Sequence, residues 1–166
     1  MRRAAASRTW TVAIALALSG CGLQPMYAGG GNGEVARGLA AVDVATIPGQ
    51  DGWLVRNALC DKLGGCKGNA KYRLDVRLDD KLEGLGLLTD DTIGRERRTL
   101  RARYQLVDNS SGEILLDASA GADAGIDVVS SEYATIAAEQ TALENLSRDV
   151  ADRIVTNLAL KLREKQ

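Results

Sequence analysis

No histidine occurs anywhere in the 166 residues. That one absence removes Ser-His-Asp and Cys-His nucleophilic catalysis, histidine metal sites and histidine pH switches together. An enzyme built on this chain would have to work with carboxylates, lysine or tyrosine. No such cluster stands out; Glu83, Asp90 and Asp91 come nearest, and they lack a second constellation. The expectation is therefore a non-enzymatic protein with no catalytic residue, cofactor or metal. Excess positive charge is missing too, with 21 basic against 22 acidic side chains. A nucleic-acid binder looks different, and no nucleic-acid partner is expected. The apolar run from Thr11 to Leu18 is too short to cross a bilayer as a helix.

What stands at the front of the chain is informative. Arg2, Arg3 and Arg8 precede that short apolar run, and small residues lead from it to Cys21. This is the anatomy of a secretory signal peptide. Leu18-Ser19-Gly20-Cys21 resembles the bacterial lipobox. The resemblance implies that residues 1–20 are a lipoprotein signal peptide, that the Cys21 thiol receives a diacylglycerol, and that the new amine is acylated with a fatty acid such as palmitate. Each buried methylene contributes about 0.8 kcal/mol and stable attachment needs more than one chain, a condition a multiply acylated cysteine meets. By the sorting rule for such lipoproteins, an aspartate after the cysteine favours inner-membrane retention. Gly22 stands there instead, so the outer membrane, facing the periplasm, is the expected location. The 146 residues left are enough for one domain with its own core.

Residues 21–38 carry Gly29, Gly30, Gly31 and Gly33 and read as a lipidated flexible tether. Residues 39–166 read as one domain. Leu39 to Ile47 has strand character with apolar residues on both faces, which suggests a central strand. Pro48-Gly49 breaks it, Asp51 is a candidate N-cap, and Val55, Leu59 and Leu63 form a helical stripe ending at Gly64-Gly65. Cys60 and Cys66 are a disulfide candidate. Six helical residues rotate by roughly 600°, so a bridge requires the helix to stop between them, where the glycines sit. The alternative is one buried and one exposed thiol. Tyr72, Leu74, Val76 and Leu78 alternate with charged residues, as do Leu100, Ala102, Tyr104 and Leu106. Asp108 to Gly112 has turn chemistry, and Ile114, Leu116 and Ala118 resume the alternation. The segment from Leu82 to Leu88 reads as a strand end passing into an apolar loop tip. From Ser130 or Ser131 the period becomes helical, with Leu146, Val150, Ile154, Leu158 and Leu162 on one stripe. The expected fold is α+β, a two-layer sandwich with two helices packed on one face of a four-stranded, mostly antiparallel sheet. Tyr72, Tyr104 and Trp53 are expected in its core.

Arg95, Arg97, Arg98, Arg101 and Arg103 place five guanidinium groups within nine residues. On a strand starting near Arg97, Arg97, Arg101 and Arg103 share a face with Thr99 and Gln105, alternate residues lying roughly 7 Å apart. Such a row can hold the phosphates of an anionic lipid through paired N–H donors. Lys71, Arg73 and Arg77 would extend it from the neighbouring strand. The competing reading is a solvated face whose arginines pair with Asp75 and Asp117 or guard a sheet edge.

Several stretches together resemble the LPS-assembly lipoprotein LptE family in its alphaproteobacterial-type branch. Cys21-Gly22-Leu23-Gln24-Pro25-Met26-Tyr27 is similar to the family's opening, with Leu23 for the usual Phe and Met26 for Leu. Arg56-Asn57-Ala58-Leu59, Arg101 to Leu106 and Ser131-Glu132-Tyr133-Ala134 match its first helix, third strand and the start of its last helix. The resemblance implies a lipid-anchored plug for the outer-membrane β-barrel LptD, which assists the barrel's assembly, binds lipopolysaccharide and helps insert it into the outer leaflet. An auxiliary lipoprotein of an ABC-type lipid transport system is the alternative, and the proteins that co-purify with the chain separate the two.

Overall fold

The computed structural model describes residues 33–164 apart from 67, 69 and 88–92, with backbone only at 87 and 93. The expected signal peptide, Cys21 and the first part of the expected tether lie outside the described residues, as does Leu88. In chain order the elements are α1 (Glu34–Ala40), β1 (Val42–Val44), α2 (Gly49–Leu63), β2 (Tyr72–Leu87), β3 (Ile93–Asp108), β4 (Ile114–Asp127) and α3 (Glu132–Glu164). The four strands form one open sheet in the order β1-β2-β3-β4. β1 runs parallel to β2, and the other neighbours are antiparallel. The architecture is thus α+β with a mostly antiparallel sheet and three helices rather than two.

Strand alternation sorts the sheet into a covered and an open face. Leu74, Leu100, Tyr104 and Leu106 are fully buried, whereas Arg73, Arg77, Arg101 and Arg103 are exposed. Val55, Leu59 and Leu63 of α2 and Leu146, Val150, Ile154, Leu158 and Leu162 of α3 close over the covered side. α2 and α3 lie alongside in parallel. Gln50 donates to Gln140 at 3.1 Å and Lys62 meets Asp152 at 2.7 Å, the same advance along each helix. α3 also spans β3 and β4. Beneath it the covered side of β4 is Ala118, Ala120, Ala122 and Ala124, whose small side chains let a helix of 33 residues approach the backbone. Ser131 receives the backbone N–H of Ala134 on its Oγ and that of Thr135 on its carbonyl, which opens α3.

Four expectations are corrected. β1 is an edge strand of three residues, because the chain leaves the sheet after Val44 and Ile47 turns in beneath α2. Its apolar residues on both sides reflect that turn, not a central position. Pro48, not Asp51, occupies the N-cap, and Asp51 falls in the first turn. Trp53 is 63% exposed, since it sits off the stripe of Val55, Leu59 and Leu63. Residues 34–38, read as the end of the tether, are helical. α1 is too short to be stable alone, but Leu39 is buried and Gly38 lies where a Cβ would sit 3.5 Å from Leu162, so packing on α3 holds it.

α2 ends at Gly64, left-handed at φ 86°, and the backbone N–H groups of Gly64 and Gly65 both donate to the Cys60 carbonyl. The reversal brings the Cys60 and Cys66 Cα atoms to 5.1 Å, and their Sγ atoms are bonded. Reduction is expected to cost about 2 kcal/mol from the loop entropy returned to the unfolded chain. Thermal melts with and without reductant measure it, and equal midpoints would show that the bridge contributes nothing.

Candidate functional site: the open face of the sheet

The odd-numbered residues of β2, of β3 as far as Gln105 and of β4 from Asp117 onward project from the side that no helix covers. Register assembles them into rows: Asp75, Gln105 and Asp117; Arg77, Arg103 and Ser119; Asp79, Arg101 and Gly121; Glu83, Arg97 and Gly125. Arg77 and Arg103 are direct cross-strand partners, an arrangement that is unfavourable for like charges. Arg101 stands one pleat further along β3, opposite Asp79. Three guanidinium groups therefore converge from two strands.

Several cations have partners of their own. Arg103 donates through Nε and Nη2 to Asp117 at 3.2 and 3.1 Å, and Gln105 Nε2 donates to the same carboxylate at 2.8 Å. The Arg103 and Gln105 bonds hold the Asp117 carboxyl below the usual carboxylate range, while Asp117 raises the Arg103 pKa. Arg73 donates Nε to both oxygens of Asp75 at 3.0 and 3.1 Å. Arg95 meets Asp127 at 3.1 Å. Arg77, Arg97 and Arg101 have no ion pair among the described residues. Two open cavities flank the convergence. One of about 440 Å³ has Thr46, Asp75, Arg77, Arg103 and Gln105 on its walls. The other, about 420 Å³, is lined by Arg77, Asp79, Arg101, Arg103, Ser119 and Gly121 among others.

Two of the sequence-selected cations are not on this face as a group. Arg98 is even-numbered and turns to the helices, where it donates to Asp80 and to the Glu139 carbonyl. Lys71 sits just before β2 with its Nζ 5.1 Å from the Tyr72 ring centroid, beside a separate cavity shared with Glu34, Arg37 and Leu162. Its contact with Tyr72 raises its pKa. Asp79, Ser119 and Gly121 were not singled out from sequence. Strand alternation places them on the right face, but only cross-strand register sets them beside Arg101 and Arg103.

Away from this face, Tyr133 and Ile136 at the start of α3, Val129 just before it and Trp53 in α2 expose 86, 55, 50 and 63% of their surface. Large exposed side chains of this kind mark contact surfaces when they cluster. Among the described residues no helix is long and apolar enough to cross a membrane.

The domain is a two-layer α+β sandwich that displays charged side chains on the rigid strands of an open sheet face. The chain belongs to the LptE family, lipopolysaccharide-assembly, whose model matches residues 39–158. Among solved structures it is similar to a candidate lipoprotein from Caulobacter crescentus, with 25% identity and TM-score 0.69 over 81% of this chain and 98% of that one. A minor lipoprotein from Acinetobacter baumannii shares the fold at 15% identity and TM-score 0.58, over 72% and 90% of the two chains. So does the rare lipoprotein B from Shewanella oneidensis, at 12% and 0.53, over 75% and 98%. A comparison with curated proteins finds no match.

Proposed function

We propose that this chain is an outer-membrane lipoprotein that joins the LptD β-barrel as its plug, supports the barrel's assembly, and offers the open face of its sheet to lipopolysaccharide during insertion into the outer leaflet. The observation that carries the lipid-binding part is the convergence of Arg77, Arg101 and Arg103, with Arg77 and Arg101 lacking ion pairs among the described residues. A phosphate seated there would relieve the repulsion between facing guanidinium groups and receive paired N–H donors. Family membership supports the assembly role, and the exposed Trp53, Tyr133 and Ile136 supply apolar surface for a protein partner.

In this reading residues 1–20 direct secretion and Cys21 carries the acyl anchor. The twelve Cα–Cα steps from Cys21 to Gly33 then reach at most about 40 Å, which keeps the domain near the membrane surface. The test uses purified lipopolysaccharide. The Arg77→Glu/Arg101→Glu variant is expected to bind it about 10- to 100-fold more weakly at an unchanged melting temperature. Wild-type affinity in that variant would reject the phosphate role. Retention of the barrel in a detergent pull-down tests the partnership separately.

A further inference from the structure

The sheet ends at β4, and the direction of that strand's free backbone groups follows from the ladder. Asp108 donates its N–H to the Glu113 carbonyl at 2.9 Å, and Val128 donates to the Gly94 carbonyl at 3.2 Å. Even residues of β3 therefore turn their main-chain groups toward β4. They face even residues of β4, as in Leu106 with Leu116 and Ala102 with Ala120. The odd residues from Asp117 to Asp127 accordingly point N–H and C=O away from the sheet. Gly121 agrees with this, for its carbonyl accepts a bond from Arg153 Nη1 of α3.

This edge has only part of the usual protection, three aspartates and the Arg153 contact at Gly121. Natural edge strands are short, or carry Lys, Pro or bulges. β4 runs 14 residues as ILLDASAGADAGID, with no lysine, arginine or proline, and its one register shift lies at the start. Positions 119, 121 and 125 are Ser, Gly and Gly, so no large side chain obstructs an incoming backbone. Every charge on the strand is a carboxylate. Asp117 and Asp127 hold their own arginines, but Asp123, opposite Thr99, has no ion pair among the described residues. A groove of about 430 Å³ runs between the edge and α3, lined by Ser119, Gly121, Asp152, Arg153 and Thr156 among others.

We propose that the outer edge of β4 docks an extended, basic segment of a protein partner as a fifth strand, one of its N–H groups replacing Arg153 at the Gly121 carbonyl. Pairing of two β4 edges would bring both Asp123 carboxylates onto one face with no cation supplied by either strand, whereas a lysine or arginine opposite Asp123 complements it. The surface is distinct from the arginine face; naming the partner as the barrel rests on the function proposed above.

The test uses the full chain co-expressed with the barrel, with Gly125→Pro, Asp123→Lys and, separately, a photo-crosslinking residue at Ser119. Proline at 125 removes an outward N–H and leaves the inner ladder whole, and its Cβ would meet only Arg95 Nε, at 3.7 Å. Each substitution is expected to lower barrel recovery at least about fivefold at an unchanged melting temperature. The crosslink from Ser119 is expected to map to a basic stretch of the barrel. Should the proline variant fail to fold, the lysine variant and the crosslink decide. Full recovery of the barrel by the folded variants, or a crosslink from Ser119 to a second copy, overturns the edge proposal alone. Failure of the wild type to retain any barrel overturns the proposed function, and the partner named here with it.

Discussion

Replacement of Tyr104 by alanine is expected to destabilise the domain by about 3–5 kcal/mol, the range for emptying a large aromatic site in a packed core. Tyr104 is fully buried in the second half of β3, with Val76 and Ala118 as its cross-strand neighbours. Its hydroxyl accepts a hydrogen bond from Asn157 Nδ2 of α3 at 2.7 Å, so one side chain ties the central strand to the long helix. Burial pushes the phenol pKa up, against the opposing pull of the Asn157 bond. The neutral hydroxyl is thus the form the core holds. Tyr104→Phe keeps the ring and loses only this bond, for about 1 kcal/mol. Urea unfolding of the two variants separates ring from hydroxyl. If the alanine variant lost no more than the phenylalanine variant, the ring would not be the keystone of this core.

Much of the fold was legible because the open sheet face is wet. Tyr72 to Leu78 and Leu100 to Leu106 alternate strictly, and the covered side of each strand is apolar where the other is charged, so period and face can both be read. The same alternation already separates Arg98, an even residue beside Leu100 and Ala102, from Arg97, Arg101 and Arg103. What the sequence cannot supply is register. Whether Arg77 faces Arg103 or Asp75 faces it depends on which residues of β2 and β3 come opposite, and one step changes every pair. β1 misled for a different reason. Its apolar residues on both sides satisfy a strand that passes at once into a turn under α2, which local pattern cannot distinguish from a strand buried between two others. α1 was hidden among glycines, because seven residues become helical only against Leu162, far along the chain.

Removal of the Asp80 carboxylate is expected to cost about 2–4 kcal/mol, by leaving a mostly covered guanidinium without its counter-charge. Arg98 and Asp80 are diagonal neighbours on the covered side of β3 and β2, with only 16 and 20% of their side chains exposed. Arg98 Nε donates to both Asp80 oxygens at 3.0 and 3.2 Å, Nη2 donates to Oδ2, and Nη1 reaches the Glu139 carbonyl of α3 at 3.0 Å. The hydrogen bond to Asp80 raises the Arg98 pKa against the pull of burial. Asp80→Ala leaves the guanidinium with only the Glu139 carbonyl and no counter-charge, whereas Asp80→Leu with Arg98→Met replaces the pair by apolar bulk and is expected to recover most of the loss. A double-mutant cycle in urea gives the coupling, and additive losses would show that the pair is not a unit. The same double variant separates structural from lipid-facing arginines. Because every donor group of Arg98 is engaged inside the fold, its loss is expected to leave lipopolysaccharide affinity unchanged while Arg77→Glu/Arg101→Glu lowers it. A matching fall in both would place the anion contact on the covered side of the sheet and remove the open face from the argument.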